Sequence, residues 1–532
     1  MEATLASPRA RRSTWRFTFL IKPLALAALI ALADRLFYPA DAVGATLGIF
    51  VLALLLSAVA LRPDLRRSRP ALVAAAAAGW FGFWLVDDPG PLGLALAWVA
   101  LTMAVLLPKA AQFGNGLRWA LRLFLHGLAT PLRPIQDLSR LARVRRRRPG
   151  RINIWSLSST LVLPILGTGL FLTLFAAANP LIESTLTGLD PLSFLRFSPL
   201  RTIFWGFIGL VTWRLLSPRL MLRGPAFQSG IDWLDLPGIS TASVTISLVA
   251  FNALFALQNG LDLAFLWSGA ALPEGMTLAQ YAHRGAYPLI GTALLAAAFV
   301  LVTTRPGTAM GGNRLIRRLV YFWIAQNLFL VASTMLRTID YIEAYLLTEL
   351  RIEALIWMAL VAVGLVLICV RLARGRSSIW LINANMAAAA LVLGASAAID
   401  YDRIAAGWNV RHAREVGGRG SPIDLCYLSQ MTDSALLPLI ELESRPLPPE
   451  LRGRVSWLRN LVTQRLEARQ AHWQGWDWRG ARRLAAAREQ VAALRLPRFP
   501  ADLDRQCDGW PHRRIEVAPP APAQPLTAAK GR

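Results

Sequence analysis

Lysine, histidine and cysteine are scarce in this chain of 532 residues. It has 57 basic residues, nearly all of them arginine, but five histidines and three cysteines. No two cysteines show the CxxC spacing of a structural zinc site or a redox motif. Because histidine and cysteine are the usual ligands of protein-bound zinc, the sequence predicts no metal site.

The short motifs of common catalytic and nucleotide-binding sites are missing as well. HExxH, GxSxG, the Walker A motif and GxGxxG do not occur in the sequence. These motifs position zinc ligands, a serine nucleophile or a phosphate-binding loop. We therefore predict no catalytic residue and no cofactor, and the sequence leans away from an enzyme.

Acidic residues are few, 32 against 57 basic ones, so the formal net charge is +25. In a soluble protein this charge would suggest nucleic-acid binding. Here, however, 55% of the residues are hydrophobic and the mean hydropathy is +0.43. No aromatic platform accompanies the densest arginine run. We predict the lipid bilayer as the partner, and no nucleic acid.

Long apolar runs are abundant. About 20 helical residues cross the hydrocarbon core of a bilayer, which is about 30 Å thick. About eleven runs approach this length, so the predicted fold class is all-α, a polytopic transmembrane helical bundle with a small C-terminal helical extramembrane domain. The predicted spans are Phe17–Ala33, Val43–Leu61, Ala71–Val86, Pro91–Leu107, Trp155–Ala178, Pro199–Ser217, Thr241–Leu266, Ala286–Thr304, Leu319–Leu336, Ala354–Val370 and Ile379–Ile399.

The orientation follows from the basic residues, which are retained on the cytoplasmic side. With the N-terminus inside, cytoplasmic segments carry about 28 basic residues and the opposite loops about 6. This asymmetry predicts a bacterial inner-membrane protein with a periplasmic C-terminal domain. The predicted regions are 1–107 (four spans), 108–154 (a cytoplasmic basic amphipathic segment), 155–399 (a seven-span core), 400–511 (the C-terminal helical domain) and 512–532 (a disordered tail).

Five polar strings inside the apolar background carry information beyond hydropathy. They are FALQNGLD at 255–262, YAHRGAYPL at 281–289, WIAQN at 323–327, LRIEALIWM at 350–358 and IAAGWNV at 404–410. In these strings the chain resembles an uncharacterised family of bacterial multi-pass inner-membrane proteins, a domain of unknown function. The resemblance is strongest over about 155–439. It implies an integral membrane protein and no established activity.

Polar side chains inside spans are costly in lipid and mark the first place to seek a site. Asn252, Asn259 and Asp262 follow steps of seven and three in the seventh span, and the ninth span shows similar steps, so each set shares one helical face. We predict a ligand-linked or proton-linked site at the periplasmic mouth of the bundle. Hydrogen bonding between packed helices, worth about 0.6–2 kcal/mol each, is the alternative. The candidate binding residues are Asn252, Gln258, Asn259, Asp262, His283, Arg284, Gln326, Asn327, Arg337, Asp340, Arg351 and Glu353.

The cytoplasmic connection contains an amphipathic stretch with apolar residues at helical spacing between Leu117 and Leu128. Such a helix suits the plane of an anionic leaflet, where each basic side chain contributes about 1 kcal/mol. We therefore predict anionic phospholipids as partners at the cytoplasmic face, although a simple topology anchor would need the same residues. The lipid-facing basic residues are predicted to be Arg118, Arg122, Arg145, Arg146, Arg147 and Arg148.

Two cysteines, Cys426 and Cys507, fall in the predicted periplasmic segment, where an oxidising compartment permits a disulfide. Two separate buried thiols remain the alternative, because the sequence does not show whether their Cα atoms approach within about 7 Å. Cys369 lies in the tenth predicted span.

Three functions compete at this stage. Polar stripes on two spans favour a transporter-like or channel-like bundle. A C-terminal domain rich in tryptophan favours a membrane scaffold or sensor that binds a protein partner through this domain. The ionisable residues near the periplasmic mouth favour a membrane enzyme of envelope or lipid metabolism. The sequence identifies no substrate, signal or oligomeric state.

Overall fold

The computed structural model describes residues 8–38, 42–110, 113–128, 167–168, 198–218, 240–264, 313–499 and 505–511, with the single residues 291, 295, 299 and 502. Within these ranges the chain forms helices joined by turns, without β-strands. Two compact units are present: the membrane unit, Met1–Tyr401 with Ala468–Arg482, and the C-terminal unit, Asp402–Glu467 with Arg483–Arg532. The predicted spans 155–178 and 286–304 lie almost wholly outside the described residues, and the predicted tail 512–532 lies outside them entirely.

Helices of the membrane unit occupy the positions of the other predicted spans. A one-turn helix, Pro63–Arg66, joins the second and third of them. Hydropathy therefore located these helices, although the first begins nine residues before its predicted span and Arg314–Tyr345 ends nine residues after its own. The helices are α1 (Pro8–Phe37), α2 (Thr46–Leu61), α3 (Arg69–Asp87), α4 (Pro91–Leu106), α5 (Gly116–Leu128), α6 (Pro199–Leu216), α7 (Thr241–Asp262), α8 (Arg314–Tyr345), α9 (Glu349–Arg374) and α10 (Ser378–Ser396).

Six helices among the described residues are long and apolar enough to cross a membrane, namely α3, α4 with its extension to Lys109, α7, α8, α9 and α10. Helix α2 is apolar but has 16 residues. The outer faces carry large exposed apolar side chains such as Leu56, Val73 and Leu391, which are 69%, 72% and 75% exposed. Such surfaces require an apolar surrounding. The chain is therefore a helical membrane protein, and the number of eleven spans stays a prediction.

The two largest apolar clusters among the described residues hold the membrane unit together. The first lies between the six helices from α1 through α6, and its fully buried side chains include Leu101 and Trp119. The second lies between the four helices from α7 through α10, around Leu248 and Val320. Helix α8 packs between α7 and α9, which brings the polar faces predicted for the seventh and ninth spans together.

The C-terminal unit is built from α11 (Tyr401–His412), the short helix Leu425–Gln430, α12 (Leu436–Glu443), α13 (Pro449–Ala471) and the larger part of α14 (Trp478–Ala493). Inside it, Arg459 donates to Glu443 at 2.5 Å, with both side chains at most 2% exposed. Cys426 and Cys507 form a disulfide, with their Cα atoms 4.7 Å apart. Trp457 is buried and donates its indole N–H to the carbonyl of Asp502 at 2.7 Å.

A stretch of the C-terminal sequence, Ala468–Arg482, belongs to the membrane unit, and we call it the tryptophan segment. Arg479 donates to Asp87 at 3.1 Å and to Asp88 at 2.7 Å, in the turn between α3 and α4. The backbone N–H groups of Gly44 and Ala45 donate to carbonyls of residues 474 and 476 at 2.7 Å each. These bonds satisfy N–H groups at the start of α2 that have no partner within the helix.

Candidate functional site

Polar side chains connect the second half of α7, from Asn252 to Asp262, to α8. The Nε2 of Gln326 donates to Oδ1 of Asn252 at 2.7 Å, and Nδ2 of Asn252 donates to the carbonyl of Leu319 at 3.1 Å. Two turns further along, Nδ2 of Asn259 donates to the carbonyl of Gln326 at 3.1 Å. We call Asn252, Asn259 and Asp262 on α7, with Gln326 and Arg337 on α8, the polar ladder.

The last rung of the ladder is an ion pair between Asp262 and Arg337, whose side chains are 1% and 7% exposed. Gln258, one turn before Asp262, donates to the same carboxylate oxygen at 3.0 Å. Residues later in α7 bind residues later in α8, so the two helices run parallel. This direction agrees with their prediction as two odd-numbered spans.

Local sequence fixes where both helices begin. The Oγ of Ser240 accepts from the N–H of Ser243 at 3.1 Å, and Oδ1 of Asn313 accepts from the N–H of Leu315 at 2.9 Å. Such N-caps are typical of Ser and Asn, whose short side chains reach the free N–H groups of the first turn. Once both starts are fixed, the steps of seven and three bring the polar residues onto the facing sides.

Three oxygen atoms of the ladder accept no hydrogen bond from the described part of the chain: Oδ2 of Asp262, Oδ1 of Asn259 and Oε1 of Gln326. The NH₂ groups of Asn259 and Gln326 each donate to an oxygen of a neighbouring residue, which leaves the amide oxygen as the remaining polar group. The unused groups are therefore acceptors in all three cases. A row of buried acceptors is suited to a proton, a cation or a chain of water molecules.

Other candidate residues lie apart from the ladder. Asn327 is buried, but its amide donates to the carbonyl of Trp323 on its own helix at 2.8 Å. Asp340 is exposed, and Glu353 is partly buried. Arg351 donates to the carbonyl of Tyr345 at 2.9 Å and lies over the ring of Tyr341 at 4.2 Å.

His283 and Arg284 lie outside the described residues, as do Arg145, Arg146, Arg147 and Arg148. The geometry therefore brings together Asn252, Gln258, Asn259, Asp262, Gln326 and Arg337 out of the predicted set.

The amphipathic segment forms α5, but its burial differs from the prediction. Phe124 and Leu128 are both 67% exposed, whereas Arg122 is 6% exposed and lies over the ring of Trp119 at 5.1 Å. Arg118 is partly buried. Among the described residues Arg122 is thus buried against Trp119, and apolar side chains occupy the exposed side of the helix. Contact of Arg122 with phospholipid stays a prediction.

An aromatic cluster beside the ladder was missing from the sequence prediction. Trp323 contacts the rings of Phe251, Phe255 and Phe299 at centroid distances of 5.3, 5.9 and 5.9 Å. Phe251 and Phe255 stand one turn apart on α7, and this spacing could have indicated an aromatic stripe beside the polar one. The cluster supplies an apolar wall next to the amides.

Comparison with known protein families gives one match. The profile of a domain of unknown function (DUF4153) matches residues 50–442. The chain belongs to the DUF4153 family. The match begins further towards the N-terminus than the resemblance in the polar strings, and it includes the polar ladder and the hairpin of α3 and α4. It ends before α13, so the tryptophan segment and Cys507 of this DUF4153 protein lie beyond it. Searches of curated proteins and of solved structures returned no match.

Proposed function

We propose that this protein is a transporter-like or channel-like membrane protein in which the polar ladder carries protons or small cations. The observation that supports the proposal is the row of buried acceptor oxygens on Asp262, Asn259 and Gln326 beside a buried ion pair. Ionisable residues inside membrane spans are expensive and mark ion pathways and proton relays. A purely structural helix interface would need no surplus of acceptors.

Flux through liposomes tests this proposal. The purified protein is reconstituted with a trapped dye that responds to protons, to sodium or to potassium, and the gradient of the matching ion is imposed. We expect flux of one of these ions, abolished by Asp262→Asn and strongly reduced by Asn259→Ala. Asn385→Ala is the matched control, because the Asn385 amide donates to the carbonyl of Leu381 within its own helix, away from the ladder.

Two outcomes would count against ion transport. Wild-type liposomes that carry none of the three ions would remove the proposed activity. Flux that survives Asp262→Asn at the wild-type rate would separate transport from the ladder, whose bonds would then serve helix packing alone.

For its location we propose the inner membrane of a bacterium, with the N-terminus inside and the C-terminal unit in the periplasm. The distribution of arginine supports this orientation, since Arg62, Arg66 and Arg67 precede α3 and the acidic turn at Asp87 and Asp88 follows it. Alkaline phosphatase fused after Gly90 or Gly453 should be active, whereas fusion after Leu128 should be inactive. Equal activity at Leu128 and Gly453 would contradict this orientation.

A second candidate function is a scaffold or sensor that binds a protein partner through the C-terminal unit. It is favoured by a compact unit with its own disulfide and buried ion pairs. Cross-linking in cells followed by purification would show a defined partner that is lost when the chain is truncated after Asp400.

For the cytoplasmic face we propose contact of α5 with phospholipid through its exposed apolar side, which includes Leu117 and Phe124.

A further inference from the structure

The turn between α3 and α4 marks the level of a bilayer surface. Helix α3 has 19 residues, which corresponds to about 28 Å at about 1.5 Å per residue and matches the hydrocarbon thickness of about 30 Å. Residues 88–90 join it to α4, which is itself apolar enough to cross the membrane. A connection this short leaves Asp87 and Asp88 at the surface between two adjacent spans.

The tryptophan segment is fixed to this surface by several independent contacts. Arg479 binds both carboxylates of the turn, and Arg482 donates to Asp87 at 2.5 Å. At the start of α2, Gly44 approaches so closely that an added Cβ would lie 2.2 Å from the carbonyl oxygen of Trp476. Residues 474–482 therefore lie at the level at which α2 and α3 reach the surface.

At this level the segment exposes three large aromatic side chains. Trp473, Trp476 and Trp478 are 52%, 38% and 47% exposed, whereas Gly475 and Asp477 between them are buried. The side chain of Asp477 is thus turned inward, whereas the three indole rings are turned outward. On α3, Trp80 and Phe83 are also exposed, at 59% and 54%, within two turns of Asp87.

We propose that the tryptophan segment inserts Trp473, Trp476 and Trp478 into the headgroup region of the adjacent leaflet and so anchors the chain after α13 to the bilayer. Indole rings combine a large apolar body with one N–H donor, and they are enriched at membrane–water interfaces for this reason. Lipid is the occupant that the position favours, because the contacts with Asp87 and Asp88 hold the rings at the membrane surface. The proposal is independent of ion flux through the ladder.

Spin labelling in lipid nanodiscs tests this contact. In a Cys369→Ala background, whose other two cysteines are joined as a disulfide, Trp473→Cys, Trp476→Cys and Trp478→Cys are labelled one at a time. Collision rates with oxygen, which concentrates in lipid, and with a water-soluble nickel chelate are measured for each label. We expect an oxygen-to-nickel ratio several-fold above that of a soluble labelled peptide and approaching that of the α3 control, Phe83→Cys.

Either of two results would overturn the proposal. High nickel accessibility at all three positions would place the rings in water. Low accessibility to both reagents would show that protein covers them, either a second copy of the chain or a co-purified partner.

A second measurement avoids new cysteines. The triple variant Trp473→Phe/Trp476→Phe/Trp478→Phe is compared with the wild type in nanodiscs containing lipids brominated near the top of the acyl chains. The difference between the two emission spectra isolates the three rings, and we expect it to be quenched by the brominated lipid. An unquenched difference spectrum would exclude lipid contact.

Discussion

A buried ion pair between Asp262 and Arg337 lies between two apolar helices, and we expect it to contribute to stability. Breaking a buried pair by removing one partner leaves the other charge uncompensated, at a cost of about 3–5 kcal/mol. We expect Asp262→Asn and Arg337→Gln each to lower the thermal unfolding midpoint in detergent. The double variant should regain most of the loss, because no lone charge then remains. Circular dichroism of the four proteins gives the comparison.

The size of the recovery decides what the pair does for stability. If the double variant loses as much as the two single variants together, the charges act independently and the close ion pair is not the stabilising contact. If Asp262→Asn alone is neutral, the buried guanidinium of Arg337 does not depend on the carboxylate of Asp262 for its stability.

In the C-terminal unit, Glu441 gives a more exposed ion pair whose effect depends on pH. Arg411 donates to its carboxylate at 2.9 and 3.0 Å, which holds the pKa of Glu441 below its usual value. Because the pKa is lowered in the folded state, the stabilisation is present above the unfolded-state pKa of about 4.3 and is lost as the pH falls through the folded-state pKa. Arg411→Ala should therefore destabilise the protein slightly at neutral pH and less at about pH 3. A loss that does not shrink with acid would point to packing instead.

At the scale of helices and turns, the close backbone approach at Gly44 makes this position sensitive to substitution. Any Cβ at this position would meet the backbone of Gly475 and Trp476 within 2.7 Å, and backbone atoms cannot rotate away. We expect Gly44→Ala to release the tryptophan segment while α2 and α3 stay folded. Trypsin should then cleave after Arg469 and Arg479 much faster than in the wild type, as followed by mass spectrometry.

Gly453→Ala is the matched control for this variant. Gly453 lies inside α13 with no atom within 4 Å of an added Cβ, and alanine favours a helix interior by about 0.5–1 kcal/mol. Cleavage in the control should stay at the wild-type rate. Equal cleavage in both variants would show that the Gly44 contact does not hold the segment.

Helices and their polar faces could be predicted from the sequence because both depend on local spacing. Steps of seven and three place Asn252, Asn259 and Asp262 on one side of any helix. The choice of Arg337 rather than Arg351 as the partner of Asp262 depends on the register of two helices, which no local pattern encodes. The contact of Arg479 with Asp87 joins positions 392 residues apart and left no signal in either segment.

The tryptophan residues of the C-terminal region also have environments that the local sequence does not encode. Composition alone cannot divide these residues by environment. The fold buries Trp457 in the C-terminal unit, whereas Trp473, Trp476 and Trp478 are exposed on the membrane unit. Their environments differ because α13 and α14 each continue from one unit into the other.

At the scale of the whole molecule, the disulfide should stabilise the C-terminal unit and should form only if that unit is exported. Cys426 and Cys507 are 81 residues apart, and closing a loop of this length contributes about 4.5 kcal/mol in the chain-entropy model. A disulfide forms and persists in an oxidising compartment such as the periplasm, so protein isolated from cells should carry the bond only if this unit is exported. We expect both thiols to resist alkylation until a reductant is added.

Cys426→Ser should then lower the denaturant midpoint of the C-terminal unit by an amount equivalent to about 4.5 kcal/mol, and reduction of the wild type should do the same. The midpoint of the Cys426→Ser variant should not respond to reductant, which makes it the control for unspecific effects of the reagent. Alkylation of both cysteines in unreduced protein would place them in a reducing compartment. The proposed orientation with the C-terminal unit outside would then fail as well, because that proposal requires both cysteines to lie in an oxidising compartment.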